Sequence, residues 1–209
     1  MSADIAFLPN IGIFCNFSFE TYPDGRRVYV CKVEGKWLSS IADKNPTLNL
    51  QGDHEAGKSN NNVQEVRFIK CFMQNVPQGL TKIFPNMVDL SIWSSNLNKI
   101  TRSDLIEYKN LERFGFCENQ TEYLPSDLFE GFDNLEEIVF NGNKLMTIEP
   151  NILDGLERLK IVNFSLNPNY SKCYSVYPEY YPNATLEEVK DELFEKFYLE
   201  VAENARIKN

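Results

Sequence analysis

The chain has 209 residues, 43% of them hydrophobic and 24% charged, which is material for one globular core or one short stack of repeats with caps. A net charge of -9 excludes nucleic acid, whose phosphates it would repel, and weighs against an anionic membrane surface. No apolar run approaches the ~20 residues a bilayer requires, so membrane insertion is excluded as well, and a basic protein, a neutral one or a second copy of the chain remain as partners.

Met1 and Ser2 lead into ADIAFLPNIGIF, which is apolar but lacks a basic start and contains Pro9. It does not read as a signal peptide, and in a secreted protein the signal would already have been removed. The stretch IFCNFSFETYPDGRRVYVCKV has two alternating runs around the turn tripeptide Pro23-Asp24-Gly25, the pattern of a β-hairpin. Cys15 and Cys31 lie one on each arm, and a disulfide between them would close a loop of about 15 residues and stabilise by roughly 3 kcal/mol. A pair of reduced core thiols is the alternative.

Gly52 to Ser59, GDHEAGKS, fits the phosphate-loop pattern letter for letter. Such a loop needs a strand before it and a helix after it, so that N–H groups converge on the phosphates. Here Asn60-Asn61-Asn62 follows, so a tight glycine turn is expected and nucleotide binding is not. His54, the one histidine, sits in this turn as a satisfied loop residue. One histidine and no Cys-x-x-Cys pair leave no metal site, no cofactor is called for, and no catalytic residue stands out.

From Val63 the chain aligns in gapless rows of 24 that begin at Val63, Met87, Leu111, Leu135 and Leu159. The fourth slot is Val66, Leu90, Phe114, Ile138 and Val162; the sixth is Phe68, Ile92, Phe116, Phe140 and Phe164. The ninth is Cys71, Ser95, Asn119, Asn143 and Asn167. Slots four and six share one face of a short strand and point inward. The ninth-slot amide can answer backbone groups that a stacked turn leaves unpaired. Phe84, Tyr108, Phe132 and Leu156 form a second apolar set, and Pro77 and Pro125 open return segments that are not strands. The pattern LxxLxLxxN predicts an α/β solenoid, a leucine-rich-repeat horseshoe with a parallel concave sheet, an N-terminal β-hairpin cap and a C-terminal helix. The expected divisions are 1–62 for the N-terminal cap, 63–168 for five coils, and 169–209 for the C-terminal cap and helix.

After Asn167-Pro168 comes a Tyr-rich stretch, then Thr185-x-x-Glu188, a capping box that opens a helix. Leu186, Val189, Leu193, Phe197 and Val201 form its apolar stripe, suited to capping the last coil or, with near-heptad spacing, to dimerisation.

The outward slots of the strands are the candidate binding face. Trp93 with Ile69, Cys117 and Val139 makes an apolar centre rimmed by Arg67, Asp89, Arg113 and Glu137, which is the composition of a protein-binding hot spot. Of the five cysteines, Cys71 should point inward, and Cys117, facing the concave solvent, is the candidate free thiol. Five Asn residues begin N-x-[ST]; ladder Asn119 should be too buried for modification, and Asn16 and Asn183 are the expected glycosylation acceptors.

The Cys15/Cys31 module, the loop from Gly52 to Asn60 and the phrases FPNM, LPSDLF and NGNKL resemble a group of secreted leucine-rich-repeat proteins of flies, mosquitoes and midges, over residues 12 to 175. The resemblance implies an extracellular, disulfide-using, non-enzymatic protein that recognises other proteins, as some mosquito relatives do in haemolymph immunity. The chain departs from those relatives in having no long coiled coil and no well-formed C-terminal cysteine cap. The alternative expectation is a structural protein that oligomerises through the C-terminal helix or a free cysteine.

Overall fold

A computed structural model describes residues 11–35, 48–177 and 184–207. In chain order the strands are β1 (Ile11–Phe14), β2 (Asn16–Thr21), β3 (Arg27–Glu34), β4 (Leu48–Gln51), β5 (Glu65–Ile69), β6 (Asp89–Trp93), β7 (Arg113–Gly115), β8 (Tyr123–Leu124), β9 (Glu137–Val139), β10 (Thr147–Ile148), β11 (Ile161–Asn163) and β12 (Cys173–Ser175). Helices α1 (Leu80–Ile83) and α2 (Arg102–Leu105) are single turns, whereas α3 (Leu186–Ile207) has 22 residues. The main sheet has eight strands in the order β12-β11-β9-β7-β6-β5-β3-β2; small parallel pairs β1–β4 and β8–β10 lie apart from it. The chain is thus α/β, a mostly parallel sheet followed by a long C-terminal helix.

The parallel strands pair residue against residue at intervals of 24: Glu65 lies opposite Asp89, Asp89 opposite Arg113, Arg113 opposite Glu137, and Glu137 opposite Ile161. This register puts Val66, Leu90, Phe114, Ile138 and Val162, with Phe68, Ile92, Phe116, Phe140 and Phe164, into one continuous core, all fully buried. Phe140 packs against Phe116 and Phe164, with ring centroids 5.4 and 6.2 Å away. Phe84, Tyr108, Phe132 and Leu156 close the core from the return side.

Ninth-slot amides tie neighbouring rows together. Asn143 donates to the carbonyls of Phe116 (2.6 Å) and Phe140 (2.9 Å), and Asn167 to those of Phe140 (2.9 Å) and Phe164 (2.8 Å). Asn119 donates to Ile92 and Cys117 and accepts from the N–H of Ser95 (2.9 Å). Asn119 is buried, as expected of a ladder residue.

The N-terminal hairpin is present, but it extends the sheet rather than only covering its end. β2 and β3 are antiparallel, and β3 then runs parallel to β5 with Val30 opposite Glu65. Cys15 and Cys31 are disulfide-bonded, with Cα atoms 5.2 Å apart, and both are buried. Gly52 begins the expected turn at φ 146°, where a Cβ would collide with the carbonyl oxygen of Cys15. His54 stacks on Phe17 at 3.8 Å and meets Tyr29 Oη (3.2 Å) and Asn60 Oδ1 (3.0 Å) through its two ring nitrogens. It is a packed loop residue.

The capping box forms: Thr185 N donates to Glu188 Oε2 (2.7 Å) and Glu188 N to Thr185 Oγ1 (3.2 Å). Val189 and Leu193 are buried, Leu186 and Phe197 half-buried. The stripe ends sooner than its spacing predicts, because Val201 is exposed, in the last turns of the helix. Glu192, a residue the periodicity does not single out, is buried and accepts from Ser171 N (3.3 Å) and Lys172 N (3.2 Å), anchoring α3 to the chain before β12. Asn183 lies outside the described residues.

Asn143→Ala strands the buried carbonyl of Phe116 and leaves that of Phe140 to Asn167 alone, and should cost about 1–3 kcal/mol in urea denaturation. Asn141→Ala, two residues earlier on the outward side, should cost under about 0.5 kcal/mol.

Candidate functional site

Residues between the inward slots face the other side of the sheet, and there the chain builds a cleft of about 470 Å³. At its centre is Trp93, 42% exposed. The indole lies over Gly115 on the adjoining strand; a Cβ at Gly115 would stand 3.5 Å from Trp93 Nε1. The indole thus packs at van der Waals distance over the backbone of Gly115. Val139, Cys117, Asn141 and Asn163 continue the floor.

One wall comes from the third slot, a row of ionisable residues. Glu65 is fully buried, and Asp89 and Arg113 are nearly so. Arg113 Nε donates to Asp89 Oδ2 (3.0 Å) and Nη1 to Glu112 (3.1 Å). Arg67 Nε donates to Glu65 Oε1 (2.6 Å), Nη1 donates to Glu20 (2.7 Å), and its guanidinium carbon sits 5.7 Å from the Trp93 ring centroid. Tyr22 closes the network, donating to Glu65 and accepting from Arg67.

Glu20 and Tyr22 belong to the hairpin. Its tip, Tyr22 to Arg26, overruns the start of the sheet strands and folds back over the cleft, where Pro23 and Arg26 form part of the lining with Glu137 and Ile161. Beside it a smaller recess of about 210 Å³ collects Asp24, Arg26, Arg113, Glu136, Glu137 and Lys160.

Seven of the eight expected binding residues meet in this cleft: Arg67, Asp89, Trp93, Arg113, Cys117, Glu137 and Val139. Ile69 is half-buried and does not line it. Two expectations are corrected. Asp89 and Arg113 are not a solvated rim, because the hairpin tip removes them from water. Cys117 does not face open solvent: it is 7% exposed, and burial pushes its thiol up to about 12. Cys71 and Cys173 are likewise buried thiols. The sequence pattern missed Glu20, Tyr22 and Arg26. They reach the cleft because β3 is eight residues long against five in β5, so that Arg27 to Tyr29 project beyond the strand they join.

Burial, then the nearby charge of Glu65, pushes Asp89 well above the usual carboxylate range; Arg113 pulls the other way without cancelling them. Burial also raises Glu137, against the pull of Arg26 and Arg113. Among the described residues no group of His, Cys, Asp and Glu is placed to hold a metal ion. No protein-family model matches the sequence, and neither does any curated protein.

Unfolded Asp89 loses its proton near pH 4, whereas the folded residue holds it to a clearly higher pH. Between those values the folded state carries the extra proton, so stability falls as pH rises. Asp89→Asn should flatten this decline by up to about 1.4 kcal/mol per pH unit, measured by urea titration from pH 4 to 8.

Proposed function

We propose that this chain is a leucine-rich-repeat solenoid that acts outside the cell as a binding module, taking a protein partner on the concave face of its sheet and catalysing no reaction. The exposed indole of Trp93 in a cleft on that face carries the reading. A large aromatic ring left open on a rigid strand, with apolar and charged neighbours, has the composition of an interface hot spot. The 24-residue register and ninth-slot amide ladder support the solenoid.

The Cys15–Cys31 disulfide supports an oxidising compartment, and among the described residues no helix is long and apolar enough to cross a membrane. Asn16, exposed on the edge strand β2, is suitably placed to accept a glycan. Resemblance to secreted dipteran proteins extends the proposal to a role in insect innate immunity. The net charge of -9 favours a basic or neutral partner over an acidic one.

A second reading, assembly of identical chains, draws on α3. Phe194 and Tyr198 pack as a tilted pair with ring centroids 4.5 Å apart and are both exposed, as are Leu199 and Val201. The thiols give that reading little support, since all three are buried.

Trp93→Ala should leave the melting temperature nearly unchanged and weaken capture of the partner from haemolymph by more than about 2 kcal/mol. A large loss of stability would instead make Trp93 a core residue and remove the basis of the proposal. Light scattering of wild type and of a Phe194→Glu/Tyr198→Glu variant tests assembly: a mass that halves in the variant would favour the second reading.

A further inference from the structure

The cleft has a roof as well as a floor. The hairpin tip passes over the sheet and is tied down by Arg67, which bridges Glu20 and Glu65, and by Tyr22 on Glu65. A broad globular surface cannot reach the third-slot residues past this tip. A single extended segment can, entering between hairpin and sheet as a strand-like peptide does in a groove.

The charged side chains of the cleft are hydrogen-bonded to one another with one exception, Glu137, which Arg26 and Arg113 attract from nearby without bonding it. Arg67 is engaged by Glu20 and Glu65, Arg113 by Asp89 and Glu112, and Arg26 by Asp24. Glu137 lines the same space half-buried, and among the described residues no hydrogen bond or ion pair reaches its carboxylate. Beside it Arg26 keeps one donor, Nη1, buried and without an acceptor. A partly desolvated carboxylate in that state gains from a cation that enters with its own hydrogen-bond donors, and the spare donor gains from a carbonyl. A peptide with a basic side chain carries both groups. Guanidinium suits the setting better than ammonium because it also stacks on aromatic rings, as Arg67 already does against Trp93.

We propose that the cleft takes an extended, arginine-bearing segment of the partner, with the guanidinium on Glu137, a neighbouring backbone carbonyl on Arg26 Nη1, and apolar flanks on Trp93 and Val139. The inference rests on the binding role proposed above and specifies the chemistry of what is bound. The chain's net negative charge adds long-range attraction for such a segment.

The test is an array of short acetylated, amidated peptides, each made in three versions with arginine, its neutral isostere citrulline, or glutamate at the centre. The array is probed with the oxidised full-length chain. Arginine versions should bind at least about tenfold more tightly than their citrulline counterparts. Glu137→Gln should bring the two within about twofold of each other, and Trp93→Ala should weaken both versions alike. Equal binding of the arginine and citrulline versions, a preference that survives Glu137→Gln, a preference for glutamate, or no bound peptide at all would each overturn the inference. So would a rise in arginine preference in Arg26→Ala, which would mean that Arg26 answers Glu137 internally. If peptides fail while capture of an intact partner still depends on Trp93, the inference falls and the binding role stands. If capture is also indifferent to Trp93, both fall.

Discussion

A chain that doubles back every 24 residues carries backbone N–H and C=O groups into an interior without water, and each of them has to be answered there. The side-chain amides of Asn119, Asn143 and Asn167 do this by donating to one carbonyl in their own row and one in the row before. A bond that spans two rows also locks their register. Once the register is locked, slots four and six must face the core and slots three, five and seven must face away from it. The apolar interior and the outward face that floors the cleft are therefore two results of one hydrogen-bonding pattern.

That register has an electrostatic consequence. It lines up Glu65, Asp89, Arg113 and Glu137 on neighbouring strands, ~4.8 Å apart, with two carboxylates side by side. Left in water the row would cost little. Covered by the hairpin tip it raises the proton affinity of Asp89, draws Arg67 and Tyr22 into the Glu65 network, and leaves Glu137 unmatched. The tip thus converts an ordinary charged strip into a partly desolvated, electrostatically uneven wall of the cleft. The indole of Trp93, lying over Gly115, supplies the apolar half of the cleft.

The core was legible because periodicity reports on it directly: every fourth- and sixth-slot residue that the rows pick out is buried. The capping box at Thr185 and the disulfide pair were legible for similar reasons, since both are local patterns of side-chain chemistry. The outward residues were legible as a list but not as an environment. Counting slots assigns Asp89, Arg113 and Cys117 to the sheet's open face without revealing that a hairpin tip far earlier in the chain would fold over it. Hairpin trajectory depends on twist and on how far β3 overruns β5, and neither has a signature at single-residue level. Glu192 escaped notice for a related reason: a buried carboxylate is recognisable only once the N–H groups of Ser171 and Lys172 that it accepts from are in place.

The amide ladder is also uneven. Its last three rungs are asparagine, but the first two are Cys71 and Ser95, and a thiol or hydroxyl cannot donate twice as an amide can. The end of the molecule with the weakest rungs is the one closed by Cys15–Cys31, and it also carries the hairpin. Reduction of that one bond would soften the molecule from this end, and the cover over Glu137 would loosen with it. The shape of the cleft is in this way tied to redox milieu: it is held where Cys15 and Cys31 are oxidised and slackens where they are not.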